Sequence, residues 1–194
     1  MIIVEETQHA ATIIRQASRI VVIGCAGNGK STLSNIISRR LEMPHISCDR
    51  DIFWLPGWIL RPRAEVIERM TAFVDQDRWI IDGNSPGTLP VRLPRTDAVI
   101  WLRFPRWVSL WSVLKRWLRY RGQVRPEMAE GCPEKIDAKF LSYIWHFEAR
   151  ESPEIQMHLE AAREDMPVVI LRSYRDTDRF VAHLESITAG RTER

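Results

Sequence analysis

One short segment limits the fold of this chain more than any other, because it sets an order of strand, glycine-rich turn and helix. Residues 20–23 form a continuous β-branched run that is typical of a strand buried on both faces. The turn that follows reads Gly24-Cys25-Ala26-Gly27-Asn28-Gly29-Lys30-Ser31, and apolar residues then recur at helical spacing over 31–41. Its glycines let the backbone curl without a side-chain clash. The segment therefore predicts an α/β fold with this turn at the carboxyl end of a strand.

The spacing of the turn matches the Walker A pattern in full. In such a turn the backbone N–H groups point inward at phosphate oxygens, and the helix N-terminus that follows favours an anion. Lys30 is expected to reach the β- and γ-phosphates of a nucleotide, Ser31 to ligate Mg²⁺ and Thr32 to meet the α-phosphate. The sequence therefore predicts ATP and Mg²⁺ as cofactors. The predicted nucleotide contacts are Gly24, Gly27, Asn28, Gly29, Lys30, Ser31 and Thr32.

The rest of the chain alternates short apolar runs with longer helical stretches, which favours a parallel sheet covered by helices on both faces. The predicted strands are five in number and cover 20–23, 45–48, 79–81, 98–102 and 168–171. A length of 194 residues leaves room for one three-layer α/β domain over 1–194, but not for two independent domains. The proline-rich aromatic stretch at 53–62 is predicted to be an ordered loop.

Two acidic residues, Asp49 and Asp82, each follow a predicted strand. Ligands bind at the carboxyl ends of the strands in doubly wound sheets, so both carboxylates are expected to project toward the nucleotide. We expect Asp82 to serve Mg²⁺ together with Ser31, and Asp49 to orient an acceptor hydroxyl. Two alternatives stay open, because Asp82-Gly83 is also a common turn pair and Asp51 either shares the role of Asp49 or caps a turn.

A strongly basic stretch lies between Asp97 and Glu127, where the sequence has no acidic residue. Such one-sided charge indicates an anionic partner, and a nucleoside triphosphate is the obvious candidate. Arg116 and Arg119 precede a glycine-containing insertion, and we expect them to act on the nucleotide when that insertion closes. The basic residues of the stretch are Arg103, Arg106, Lys115, Arg116, Arg119, Arg121 and Arg125.

The same helix carries large apolar residues at helical spacing, which predicts a stripe that faces the core. These residues are Trp107, Trp111, Leu114 and Leu118. Two other interpretations of the helix remain: a solvated basic face, or a surface that contacts the phosphate backbone of nucleic acid.

Several classes of site are not predicted. The cysteines Cys25, Cys48 and Cys132 are far apart, so we expect free thiols and neither a zinc ribbon nor a disulfide framework. The five histidines show no metal-ligand spacing and are interpreted as surface or satisfied helix residues. The N-terminus has acids where a signal peptide carries bases, and no apolar run is long enough to span a bilayer. A cytoplasmic protein without a membrane partner is therefore expected.

Taken together with the Walker A turn, two further segments resemble a known group of proteins. Asp82-Gly83-Asn84 after Trp79-Ile80-Ile81, and Phe104-Pro105-Arg106-Trp107, look like the adenylate-kinase-like P-loop proteins, in particular the bacterial family often labelled "DNA topology modulation protein". The resemblance runs over most of the chain. It implies a P-loop NTPase fold of the nucleoside-monophosphate-kinase type with strand order 2-3-1-4-5. It also implies an acceptor-side insertion at about 49–75 and a lid at about 121–136.

In adenylate kinases, two arginines one helical turn apart contact the nucleotide after the fourth strand. Arg116 matches the second of these, and Ser112 stands at the position of the first. The leading hypothesis is a Mg²⁺–ATP-dependent phosphotransferase that acts on a small acceptor such as a nucleoside or nucleotide, with Lys30, Asp49, Arg116 and Arg119 as its catalytic residues. Arg121 is an alternative to Arg119 at closure. The competing hypothesis is an ATP-binding regulatory module that contacts nucleic acid through the basic helix.

Overall fold

A computed structural model of the chain describes residues 1–189, which form a six-stranded parallel sheet with helices on both faces. The strands are β1 (Ile2–Val4), β2 (Arg19–Gly24), β3 (His45–Ser47), β4 (Trp54–Leu55), β5 (Ile59–Leu60), β6 (Trp79–Asp82), β7 (Ala98–Leu102) and β8 (Pro167–Leu171). The helices are α1 (Thr7–Gln16), α2 (Lys30–Leu41), α3 (Arg63–Val74), α4 (Leu89–Arg92), α5 (Arg106–Tyr120), α6 (Ala138–Arg150), α7 (Ser152–Ala162) and α8 (Tyr174–Ala189). Within 1–189, no helix is long and apolar enough to cross a bilayer.

The strand order is β1-β8-β7-β2-β6-β3, and every neighbouring pair is parallel. The prediction of a five-stranded sheet with order 2-3-1-4-5 is therefore wrong for the sheet as a whole, because β1 adds a sixth strand. The five predicted strands lie side by side in the sheet, and β1 extends it by pairing with β8. β1 was not predicted, because three residues are too few to show a strand pattern and Ile2 and Ile3 are exposed.

The core lies on both faces of the sheet, and the packing of β2 shows why residues 20–23 are apolar throughout. Val21 and Ile23 pack into the core on one face, whereas Ile20 and Val22 pack into the core on the other. A parallel strand covered by helices on both sides has no solvent-facing position, so the run contains no polar residue. This burial places Gly24 and the turn after it at the edge of the sheet where the strands end.

Two insertions pack against each other above that edge. Residues 54–60, predicted as a loop, form a hairpin in which β4 pairs with β5 in antiparallel fashion. The segment 121–137 between α5 and α6 lies on this hairpin. Cys132 Sγ lies 3.3 Å from the carbonyl oxygen of Leu55, to which it donates, and 3.3 Å from the backbone N of Trp58, from which it accepts. The predicted lid is thus docked on the predicted acceptor side.

α5 faces the other way from the prediction. Its buried residues are Ser109 and Val113, whereas Trp107, Trp111, Leu114 and Leu118 are 61%, 63%, 40% and 62% exposed. The predicted core-facing stripe is therefore wrong. The physical reason is a close approach to the glycine-rich turn, because a Cβ on Gly27 would lie 2.6 Å from the carbonyl oxygen of Ser109. Only a helix face with small residues fits there, and the bulky indoles are left on the outside.

Candidate active site

The shape of the glycine-rich turn depends on backbone conformations and close contacts that only glycine allows. Gly24, Gly27 and Gly29 all have positive φ, at 138°, 86° and 84°. A Cβ on Gly24 would lie 2.4 Å from the carbonyl oxygen of Leu102, so a larger residue at this position would separate β2 from β7. Gly29 is the N-cap of α2 in the left-handed conformation. The turn therefore leads directly into the positive end of a 12-residue helix, as an anion-binding turn requires.

The side chain of Asn28, one of the predicted nucleotide contacts, faces away from the cavity. Its side chain is 2% exposed and turns inward, where Nδ2 donates to the carbonyl oxygen of Leu102 at 2.9 Å. Its Oδ1 accepts a hydrogen bond of 2.5 Å from the hydroxyl of Ser109 on α5. The amide thus ties the turn to β7 and α5, and it is not available to a nucleotide. No pattern in the sequence distinguishes this inward amide from one that faces a ligand.

A cavity of about 760 Å³ opens above the turn. Gly27, Gly29, Lys30, Ser31 and Thr32 line it, whereas Gly24 and Asn28 lie outside its wall. The other sides are formed by the strand ends, the hairpin, α5, the lid segment and the start of α6. These parts contribute Asp49, Asp82, Trp54, Trp58, Ser112, Lys115, Arg116, Arg119, Tyr120, Arg125, Glu127, Met128, Glu134, Lys135, Asp137, Lys139 and Phe140, and Ala26 completes the wall. The volume lies within the range of cavities that hold a small ligand or cofactor.

Lys30 lies at the floor of the cavity. Its Nζ donates to the carbonyl oxygen of Cys25 within the same turn at 3.0 Å. Desolvation lowers the pKa of the Lys30 ammonium group, whereas the carboxylates of Asp82 and Asp49 act in the opposite direction. The predicted lysine and the two predicted carboxylates therefore lie within one electrostatic cluster.

Asp82 is held by a histidine that the sequence analysis interpreted as a surface or satisfied helix residue. His45 Nε2 lies 3.0 Å from Asp82 Oδ2, and His45 Nδ1 lies 3.0 Å from Asn35 Oδ1 on α2. The side chains of His45 and Asp82 are only 5% and 3% exposed. When Nε2 carries a hydrogen, it donates to the carboxylate and fixes the orientation of that group. Only the parallel pairing of β3 with β6 brings the two residues together.

For Asp82-Gly83 the sequence left a turn and a site as alternatives. Asp82 ends β6 and lines the cavity, and the chain turns at Gly83. Gly83 has a φ of 134°, and a Cβ there would lie 2.4 Å from the Cβ of Cys48, so glycine is needed for close packing. The fully buried Arg92 holds this turn by donating to the carbonyl oxygens of Gly83 and Ser85, each at 3.1 Å. Arg92 was not predicted, because an arginine in a short helix shows no sign in the sequence that it is buried.

Asp49 and Asp51 have different roles in the structure. Asp49 lines the cavity, and its Oδ1 lies 3.3 Å from the indole nitrogen of Trp54. Desolvation by the surrounding protein raises the pKa of the Asp49 carboxyl, against the attraction of Lys30. Asp51 accepts from the backbone N of Ser47 and pairs with Arg50, each at 2.8 Å, and does not line the cavity. Asp51 therefore bonds back to the residue before its own helical segment, and neither sharing the position of Asp49 nor capping the following turn describes it.

The lid segment reaches α5 through one buried carboxylate. Glu134 Oε1 accepts from Arg116 Nε at 2.9 Å, and its Oε2 forms an ion pair with Arg125 Nε at 2.5 Å. The side chain of Glu134 is 3% exposed. Burial lowers the pKa of Arg116, as does the nearby Arg125, whereas Glu134 acts in the opposite direction. Glu134 was not singled out in the sequence, where its distance from Arg116 hides the pairing.

The remaining predicted arginines separate into two groups. Arg119 lines the cavity, with its guanidinium 5.4 Å from the ring centroid of Tyr120. Arg121 is exposed, stacks 5.1 Å from the ring centroid of Trp117 and lies outside the cavity wall. Ser112 lines the cavity and accepts a 2.9 Å hydrogen bond from the hydroxyl of Tyr174 on α8. Of the two arginines proposed for closure with Arg116, the geometry therefore favours Arg119.

The oxygen donors fit Mg²⁺ only in part. Mg²⁺ in phosphate-transfer sites is held by one or two carboxylates or hydroxyls together with phosphates and waters. Asp82 and Ser31 both line the cavity and supply oxygens of this kind next to the turn. Within the described part of the chain, no group of three or more His, Cys, Asp or Glu residues is arranged to hold a metal ion.

Comparisons with known proteins identify the fold. No protein-family model matches the sequence, and no curated protein sequence matches it. Among solved structures, shikimate kinase from Acinetobacter baumannii in complex with shikimate aligns with a TM-score of 0.55 at 14% identity, over 93% of this chain and 98% of that one. Shikimate kinase from Bacteroides thetaiotaomicron aligns with a TM-score of 0.50 at 18% identity, over 89% of this chain and 99% of that one. The chain therefore shares the α/β fold of these two shikimate kinases.

Proposed function

We propose that the protein is a Mg²⁺–ATP-dependent kinase that transfers a phosphoryl group to a hydroxyl of a small acceptor. One observation carries the proposal: a single cavity joins the phosphate-binding turn, two strand-end carboxylates and the arginines of α5 and the lid. The fold shared with shikimate kinases supports it. A kinase needs these three groups of side chains in one enclosed space, because transfer depends on positioning and charge stabilisation.

The nucleotide is assigned to the turn. Gly27, Gly29 and the first residues of α2 line the cavity at the helix N-terminus, where backbone N–H groups without an intrahelical partner suit phosphate oxygens. Lys30 exchanges its bond to the Cys25 carbonyl oxygen for one to a phosphate. Ser31 and Asp82 would hold Mg²⁺, which supplies charge neutralisation at the phosphates when it is bound. His45 keeps the Asp82 carboxylate in place during this exchange.

The acceptor is assigned to the side of Asp49 and the hairpin. Because desolvation raises the pKa of Asp49, this carboxylate holds a proton more strongly and can act as a general base that accepts the hydroxyl proton of the acceptor. The rings of Trp54 and Trp58 lie edge to face with centroids 5.3 Å apart and line the same side. A flat or ring-bearing acceptor such as a nucleoside or nucleotide suits this wall.

The arginines are assigned to the transferring group. Arg116 and Arg119 line the cavity on α5, opposite the strand ends, and Arg125 comes from the lid. Glu134 holds Arg116 and Arg125 together, so that lid position and arginine position are coupled. The narrower resemblance to the bacterial "DNA topology modulation protein" family belongs to this proposal, as does a cytoplasmic location. Both rest on the sequence segments named above.

The test is acceptor-dependent release of ADP. Nucleosides, nucleotides and small hydroxy-metabolites are first screened for those that raise the melting temperature of the protein in the presence of a non-hydrolysable ATP analogue. The selected compounds are then tested as acceptors with purified protein and Mg²⁺–ATP. We expect at least one acceptor to stimulate ADP release in proportion to its own phosphorylation. Salt-resistant duplex DNA binding, with no acceptor that stimulates turnover, would favour the regulatory module instead.

A further inference from the structure

α5 presents a continuous apolar surface to the outside of the protein. Trp107, Trp111, Leu114 and Leu118, here called the outer stripe, lie on the face opposite the buried residues Ser109 and Val113. From the first to the last of them the helix rises by about 16 Å. Single exposed apolar residues are common, but a contiguous row of large ones marks a site of interaction.

Basic residues border the outer stripe on both sides. Lys115 is exposed along one edge, with its Nζ 6.0 Å from the ring centroid of Trp111. Arg106 lies at the other edge, 6.0 Å from the ring centroid of Trp107 and 4.2 Å from that of Trp145. No acidic residue occurs in the sequence between Asp97 and Glu127. The surface is therefore an apolar ridge with positive margins.

α6 widens this surface without adding negative charge. Trp145 packs its ring edge to face against Trp107 with centroids 4.6 Å apart, and Leu141 on the same helix is exposed. The acidic residue of α6 is Glu148, and its charge is paired with Arg103 at the start of the basic stretch. The ridge thus extends over α5 and α6, and the charge of Glu148 is balanced by Arg103.

We propose that the outer stripe docks the protein on the surface of an anionic lipid bilayer. Tryptophan and leucine suit the boundary between headgroups and acyl chains, and bordering lysines and arginines suit anionic headgroups. Interfacial binding uses one face of a helix and needs no segment that crosses the bilayer. The docking face lies opposite Ser109, so the phosphate-binding turn stays on the protein side of α5.

Two other occupants fit the surface less well. A second copy of the chain would pair the stripe with itself and bring like-charged margins together, with no acid in the basic stretch to offset them. A single-stranded nucleic acid would stack on the tryptophans, but Leu114 and Leu118 offer no ring to a base. A lipid surface uses both the leucines and the charges.

The experiment is co-sedimentation with vesicles at physiological salt. Wild-type protein is mixed with phosphatidylcholine vesicles, or with vesicles in which about one third of the lipid is phosphatidylglycerol. We expect binding to the anionic vesicles and little to the neutral ones. The double variant Trp111→Ser/Leu118→Ser should bind at least about tenfold more weakly, because it lacks two apolar side chains that enter the bilayer in the wild type. Met157→Ser is the matched control, since Met157 is 56% exposed on α7.

Charge is tested separately. Arg106→Glu should weaken binding to anionic vesicles several-fold, whereas Arg179→Glu on the exposed face of α8 should not. Circular dichroism checks each variant, and Trp111→Ser alone replaces the double variant if that fails to fold. Equal binding to neutral and anionic vesicles, or equal binding by the double variant, would overturn the proposal. The proposal would also be overturned if the protein does not bind vesicles and the outer stripe is instead needed for dimers seen by light scattering or for binding to single-stranded DNA.

Discussion

The floor and the roof of the cavity are built by different means. At the floor, the turn from Gly24 to Ser31 takes its shape from backbone conformation and from close contacts to the sheet and α5. At the roof, the lid segment is held by side chains far apart in the sequence: the ion pairs of Glu134 with Arg116 and Arg125, and the packing of Cys132 on the hairpin. The floor is therefore preorganised, whereas the roof depends on contacts that can open together.

This difference has a functional consequence. A rigid turn keeps phosphate-binding groups in place before a ligand arrives, and therefore contributes affinity without an ordering cost. A roof that is closed through a few charged contacts can release a product and exclude water in turn. We therefore expect variants of the floor to affect nucleotide binding and stability, and variants of the roof to affect turnover and opening.

The largest effect is expected at the floor. Lys30→Ala removes the charge aimed at the phosphates, and kcat/KM for phosphoryl transfer should fall on the order of 10⁴-fold. ATP affinity measured by calorimetry should fall sharply as well, with a near-normal circular dichroism spectrum, because no core residue changes. Unchanged ATP affinity would show that the turn does not bind the nucleotide.

The next effect separates roof from floor. Arg116→Ala should lower kcat on the order of 10³-fold while ATP affinity changes much less, because a charge delivered at closure acts mainly in the transition state. Arg121→Ala is the control, since Arg121 lies near the same end of α5 but outside the cavity wall. If Arg116→Ala weakens ATP binding and turnover equally, Arg116 contacts the bound nucleotide already in the ground state.

The metal contact should give an intermediate effect. Asp82→Asn keeps the shape of the side chain and removes its charge, so the enhancement of ATP binding by Mg²⁺ should fall about 10- to 100-fold. Binding of ATP without Mg²⁺ should be little changed. Asp51→Asn serves as the control, because Asp51 bonds to the backbone N of Ser47 and lies outside the cavity wall. An equal Mg²⁺ enhancement in wild type and Asp82→Asn would leave Asp82 as a turn residue only.

A smaller effect tests whether the floor is held by sterics. Gly27→Ala places a Cβ 2.6 Å from the Ser109 carbonyl oxygen at a φ of 86°, and should lower the free energy of unfolding by about 2–4 kcal/mol. Gly122→Ala has a similar φ of 72° but meets nothing within 4 Å, so it should cost only about 1 kcal/mol. Equal losses in urea denaturation would mean that the approach of α5 to the turn is not tight.

The smallest effect concerns opening of the roof. Cys25 and Cys48 lie in the core, where burial raises the pKa of their thiols to about 11 and about 12, so they should react very slowly. Cys132 is buried only by the contact of lid and hairpin and should be labelled first. Glu134→Gln should speed its labelling a few-fold, since the ion pairs that hold the lid are weakened. Labelling is measured by mass spectrometry. Equal labelling rates for all three thiols would contradict a roof that opens separately.

The sequence by itself determined the features that depend on local chemistry. Three glycines, a lysine and a serine at fixed spacing after a β-branched run predicted the strand, the turn and α2, because neighbouring residues alone decide those conformations. The rule for parallel sheets placed Asp49 and Asp82 near the nucleotide, and both line the cavity. Asp82 ends β6, whereas Asp49 lies in the short helical segment after β3. That they carry out phosphoryl transfer stays a prediction.

Only the tertiary structure decided what depends on partners distant in the chain. Periodicity gave α5 an apolar stripe but not its direction, which the close approach of Ser109 to Gly27 settles. Asn28 turned inward, and His45 met Asp82, through contacts to elements 37 to 81 residues away. A pattern read along the chain reports spacing on one element, whereas burial and pairing arise between elements. This is the physical reason why the turn was predictable and its surroundings were not.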